Sequence, residues 1–72
     1  MTKKNKIKIK LNGKNILINN NYSLEKLLNK LEIQLKMVAI ELNKKIIDKT
    51  KVKKIKLKEN DRLEIVHFIG GG

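Results

Sequence analysis

The sequence contains no cysteine, one histidine and two aromatic residues, Tyr22 and Phe68. Without thiols there is no disulfide framework, no thiolate metal site and no chemistry carried on a side-chain sulfur. His67 has no second imidazole to share a metal with, and no metal-ligand spacing, nucleotide-binding loop or dinucleotide fingerprint occurs. Two aromatics supply no stacking platform of the kind that single-strand nucleic-acid binders use. Long apolar runs are missing too. No stretch approaches the ~18 apolar residues a membrane span needs, and the basic start MTKKNKIKIK leads into no apolar signal region. A soluble protein with no membrane partner is expected, cytoplasmic or in a plastid stroma, and Asn21-Tyr22-Ser23 reads as a chance match to a glycosylation acceptor.

What is abundant is lysine. The formal net charge is +11, but among the 18 basic residues only Arg62 is an arginine. Arginine is the residue suited to bidentate recognition of bases and phosphates. A lysine excess that comes with inflated asparagine and isoleucine reads as the amino-acid usage of an AT-rich genome and as a solvated face, so nucleic acid is not the expected partner. With 72 residues there is room for one core, and with 40% hydrophobic residues in regular patterns the chain is a folding one.

Residues 6–11, KIKIKL, alternate strictly, with Ile7, Ile9 and Leu11 on one face, which predicts a half-buried strand. Asn12-Gly13 is a strong hairpin signal, and NILIN returns as a second strand. Ser23 is placed as an N-cap, and Leu24, Leu27, Leu28 and Leu31 form one stripe of a helix, with Glu25 in the favourable first turn. MVAIEL, residues 37–42, predicts a third strand with Val38, Ile40 and Leu42 inward, and Asn43-Lys44 turns it into a short strand, KIID. The segment KTKVKKIKLKEN fits neither period and reads as an irregular crossover carrying surface lysines. After a turn at Asn60-Asp61, RLEIVHFI forms the last strand. A sheet with a single helix gives a two-layer α+β domain.

Side-chain catalysis has little to work with. Strand alternation puts His67 on the face of Leu63 and Ile65, as a structural histidine, and Glu59, Asp61 and Glu64 read as solvent-facing charges near a turn. Ser23-x-x-Lys26 resembles a serine acyl-enzyme motif but lacks its companions, and a helix cap accounts for Ser23. The terminal run HFIGGG is different. Three glycines that follow an apolar strand and lead to a carboxylate open no helix and cradle no phosphate. A tail without β-carbons can run through a channel too narrow for side chains and present its carboxyl group inside a partner's active site. There, adenylation by ATP would make an inert carboxylate into an acylating group.

The whole chain from Lys6 resembles the ubiquitin-like β-grasp fold and, more closely, the sulfur carrier proteins of thiamine biosynthesis. VAIELNKKII and NDRLEIVHFIGGG carry the resemblance most specifically. It implies an α+β fold, a mixed sheet of four to five strands with one helix on one face, over residues 1–69, and a flexible tail over 70–72. It also implies a role. An activating enzyme related to those that charge ubiquitin would adenylate Gly72 with ATP and magnesium, and a sulfur donor such as a cysteine desulfurase would help convert it to a thiocarboxylate. Thiazole synthase would then receive the sulfur, with Gly70 and Gly71 as the thread. No cofactor would be bound by the chain itself, which would be a carrier and not an enzyme. The departures, Asn43-Lys44 and Asn60-Asp61 in place of glycine-containing turns, bear on local turn type.

In that fold the first and last strands are central neighbours, so Lys8, Lys10, Val66, Phe68, Met37 and Ala39 are expected to share the open face as a docking surface for partners. Lysines around it would steer an acidic partner. Three other readings stand beside this one, the first of them a protein-conjugated modifier or other ubiquitin-like sulfur carrier that shares the activation chemistry. The small subunit of molybdopterin synthase shares the fold and the Gly-Gly end, but it commonly has proline just before its glycines, and this chain has none. A basic RNA-binding β-grasp module would have no use for the tail.

Overall fold

The structure is a computed structural model that describes residues 5–68. β1 (Lys6–Leu11) and β2 (Lys14–Asn19) form an antiparallel hairpin through Asn12 and Gly13, both at positive φ (50° and 84°). That geometry matches the twist of the flanking strands. The register sets Ile7 opposite Ile18 and Ile9 opposite Ile16, so branched side chains meet on the inner face.

Ser23 caps α1 (Leu24–Lys30), its Oγ accepting from the Lys26 N–H at 3.1 Å. Leu24, Leu27 and Leu28 are buried, but Leu31 is 39% exposed. The expected stripe of four leucines therefore contracts to three, because the helix stops at Lys30 and Leu31 is its C-cap, followed by Glu32 at positive φ.

β3 (Val38–Leu42) begins one residue later than the alternation implies, since Met37 closes a 3-10 turn over Leu35–Met37. Asn43 and Lys44 (φ 52° and 70°) turn the chain into β4, which is only Lys45–Ile46. One further bond, from the Ile47 N–H to the Ile40 carbonyl, extends the contact.

The crossover is more structural than its sequence implied. Asp48 opens a 3-10 turn over Lys49–Lys51, accepting from both the N–H and the hydroxyl of Thr50, and these bonds hold its carboxyl below the usual aspartate range. Val52 and Leu57 are buried in the core and Ile55 packs against it. The carbonyls of Ile55 and Val52 accept from the N–H groups of Leu24 and Glu25, in the first turn of α1, and the Leu57 N–H donates to Tyr22. Crossover and helix are thus joined through donors that a helix cannot satisfy internally.

β5 (Arg62–His67) completes a five-stranded sheet in the order β2-β1-β5-β3-β4, parallel to β1 and antiparallel to β3. This is the mixed sheet with one helix that the β-grasp resemblance implied. Leu63 and Ile65 belong to one core with Ile9 and Ile40 of the sheet and Leu27 of α1. His67, of the same parity, is exposed and is not the buried structural histidine expected, because alternation decides the side of a sheet and not how far its cover extends. Ile69 and the predicted tail lie outside the described residues.

Two of the three carboxylates read as solvent-facing are engaged. Asp61 is buried, with Oδ2 accepting from the Lys58 N–H at 2.7 Å and Oδ1 from Asn43 Nδ2 at 2.9 Å. Asn43 Oδ1 in turn accepts from the Arg62 N–H at 2.9 Å, which ties the β3–β4 turn to the start of β5. Glu59 is half-buried, its Oε2 accepting from the Lys8 N–H, whereas Glu64 is exposed as expected.

Candidate docking face and tail root

The face of the sheet away from α1 carries the residues of outward parity. On β5 these are Arg62, Glu64 and Val66, followed by Phe68, the last described residue. Val66 is 61% and Phe68 54% exposed, which for side chains of this size marks the face as available for contact. Ala39 is the register partner of Val66, and the Phe68 N–H donates to the Met37 carbonyl at 2.9 Å. Met37 and Ala39 are half-buried beside them, and Lys49 Nζ stands 5.1 Å from the centre of the Phe68 ring, within reach of a cation–π attraction. Four of the six predicted docking residues therefore gather at the root of the tail.

Lys8 and Lys10 do not join them. Lys10 is the register partner of Arg62, at the opposite end of β5, and Lys8 lies further back, its carbonyl accepting from the Asn60 N–H. Val66 lies four residue steps along extended chain from Arg62, about 13 Å at the usual strand rise. The parallel pairing is the cause. β1 and β5 run side by side only through Leu11 and Leu63, and the hairpin then carries β1 away. Asn12 takes its place, with Oδ1 accepting from the Ile65 N–H at 2.8 Å and Nδ2 donating to the Ile65 carbonyl at 3.2 Å. One side chain thereby satisfies both main-chain groups of a core-strand residue.

Two exposed residues on this face were not singled out from sequence. Leu17 is 67% exposed and pairs with Lys8, and Ile46 is 75% exposed and pairs with Glu41. Leu17 was legible, being of opposite parity to Ile16 and Ile18. Ile46 was not, because a two-residue strand has no alternation to read. Between the two ends of the face, Glu41 and Glu64 are directly opposed across β3 and β5, and with Lys44 and Arg62 they line a hollow of about 270 Å³. Among the described residues no group of three or more His, Cys, Asp or Glu could hold a metal, and no helix is long and apolar enough to cross a membrane. Gly70, Gly71 and Gly72 lie outside the described residues.

The arrangement matches known proteins over nearly its whole length. Residues 5–72 match the model of the ThiS family. The sulfur carrier protein ThiS of Bacillus subtilis (strain 168) is 37% identical over 65 residues, covering 89% of this chain and 98% of that protein. A thiazole synthase of Paramagnetospirillum magneticum is 35% identical over 66 residues, covering 92% of this chain but only 20% of that protein. The crystal structure of a thiamine biosynthesis protein, ThiS, from Geobacter metallireducens superposes with a TM-score of 0.79 at 26% identity, covering 92% of this chain and 100% of that one. The family match over residues 5–72, the 37% identical relative and the superposition agree, and the chain belongs to the ThiS family.

Proposed function

We propose that the chain is a sulfur carrier for thiamine biosynthesis and that the carboxyl group of Gly72 bears the sulfur. The observation that carries this reading is the family match, which extends through Gly72 and so includes the glycine run. The chemistry follows from what a carboxylate needs. A carboxylate oxygen attacks the α-phosphorus of ATP, pyrophosphate leaves, and the resulting acyl adenylate has AMP as its leaving group. The terminal sulfur of a donor persulfide then displaces AMP to give an acyl disulfide, and a second thiol attacks the donor's sulfur in that S–S bond, leaving a thiocarboxylate on Gly72 and a disulfide on the donor. Magnesium and ATP belong to the adenylating enzyme, related to those that charge ubiquitin, and a cysteine desulfurase is the proposed origin of the sulfur. The chain supplies a substrate and no catalytic group.

Gly70 and Gly71 serve as the thread, since residues without β-carbons fit a channel that excludes side chains. Val66, Phe68, Met37 and Ala39 form the apolar contact that positions the thread at the partner's entrance. Thiazole synthase is the proposed acceptor, and support comes from a protein of that name in which a segment like this chain makes up a fifth of the length. The test is intact mass after incubation with ATP, magnesium, a thiamine-pathway adenylating enzyme and a sulfur donor. A gain of about 16 Da, oxygen replaced by sulfur, is expected for the full chain and none after deletion of Gly71 and Gly72. An unchanged mass with an enzyme active on another carrier would overturn the proposal.

A further inference from the structure

We propose that the end of the open face remote from the tail holds a phosphate-binding cleft, built by Lys8, Lys10 and Arg62 with the amides of Asn15 and Asn60, that takes a small phosphorylated molecule. These five residues and Ile9 line a hollow of about 390 Å³. Among the described residues lining it there is no carboxylate. Lys10 sits between Asn15 on β2 and Arg62 on β5 as the register partner of both. Three donor-bearing side chains thus project from three adjacent strands in one row.

Such a row repels itself, and Glu64, a carboxylate that shares a neighbouring hollow with Lys10 and Arg62, stands outside the cleft. Like charges directly opposite on neighbouring strands repel, and Lys10 with Arg62 is such a pair, with Lys8 two residues away on the same face. An anion between them reverses the sign of each contact. The donor set favours a phosphate group over a carboxylate. Arg62 offers a planar fork, Lys8 and Lys10 offer point charges, and the two amides add neutral donors, more than the two oxygens of a carboxylate can use together.

The elements that bear these groups are held. The Asn60 N–H donates to the Lys8 carbonyl at 2.7 Å, the Lys10 N–H donates to the Asp61 carbonyl at 2.9 Å, and Asn43 anchors the Arg62 N–H. Glu59, next to Asn60, turns Oε2 to the main-chain N–H of Lys8, while Glu41 and Glu64 lie outside this hollow, Glu64 lining neighbouring hollows with Lys10 and with Arg62. The cleft therefore has a rigid frame. It shares no residue with the apolar cluster at the tail root, and its occupation is independent of the carrier chemistry.

The test is titration of the isotope-labelled full chain with pyrophosphate, followed by amide resonances at constant ionic strength. Saturable shifts confined to Lys8, Lys10, Asn15, Asn60 and Arg62 are expected, including the side-chain amides of both asparagines. Arg62→Gln weakens binding about tenfold, whereas Lys26→Gln, which removes the same charge from α1, leaves it unchanged. Lys10→Gln serves as a second variant should Arg62→Gln disturb the fold. Shifts spread over lysine-bearing segments without saturation would overturn the proposal, as would equal loss in the Lys26 variant. Tighter binding of a hexaglutamate peptide at the same residues would also overturn it, in favour of an acidic protein surface.

Discussion

The two ends of β5 are built on different terms. At its entrance the strand is held by side chains. Asp61 is buried and doubly bonded, Asn43 bridges to the Arg62 N–H, and Lys10 and Asp61 join across the parallel pair. At its exit one neighbour is gone, replaced by the single amide of Asn12, and the outward residues Val66 and Phe68 are apolar and exposed. Under the proposed function such a strand would need both, an entrance that fixes β5 in place and an exit whose apolar surface a partner could cover.

That contrast can be broken at the entrance first. Asp61→Ala leaves the Lys58 N–H and the Asn43 amide without their acceptor, and loss of two bonds to a buried carboxylate should cost about 3 kcal/mol, read from urea denaturation. A loss below about 1 kcal/mol would show that water replaces the carboxylate and that the entrance is not pinned by it. Next is Asn12→Gly, which keeps the positive φ that Asn12 adopts but removes both bonds to Ile65. It should cost about 1.5 kcal/mol and speed hydrogen exchange at Ile65 more than at Leu63. Uniform acceleration along β5 would mean that Asn12 acts on the hairpin alone.

The smallest effect on stability belongs to the exit. Phe68→Asp should change unfolding free energy by no more than about 0.5 kcal/mol, because Phe68 is 54% exposed and follows the last residue of β5. Its contact with Lys49 becomes an exposed ion pair of little worth. Binding to the adenylating enzyme, measured by calorimetry, should nevertheless weaken more than about tenfold. Unchanged binding would remove Phe68 from the docking surface.

The outline of the fold was readable because most of its signals are local. Alternation in KIKIKL, the Asn-Gly turn and the Ser23 cap act over a few residues, and each appears where the sequence placed it. The crossover was not readable in this way. Val52 and Leu57 are buried by docking of irregular backbone onto the helix N-terminus, which follows no repeating period. Asp61 was misread for a related reason. An aspartate in a turn is normally solvated, and only Asn43, distant in sequence, and the Lys58 N–H make its burial favourable. Parity placed the strand residues proposed for docking on the open face, but it carries no information about position along that face.

What the sequence determined by itself is the strands and the helix in outline, the face that the strand residues take and the glycine run after the last strand, because strand and helix periods and glycine's missing β-carbon are properties of short stretches. The tertiary structure decided the rest. Setting β5 parallel to β1 with Lys10 opposite Arg62 divides the open face into a cationic end and an apolar end. Register between distant strands is chosen by which side chains fill one core together, and no short stretch contains that choice.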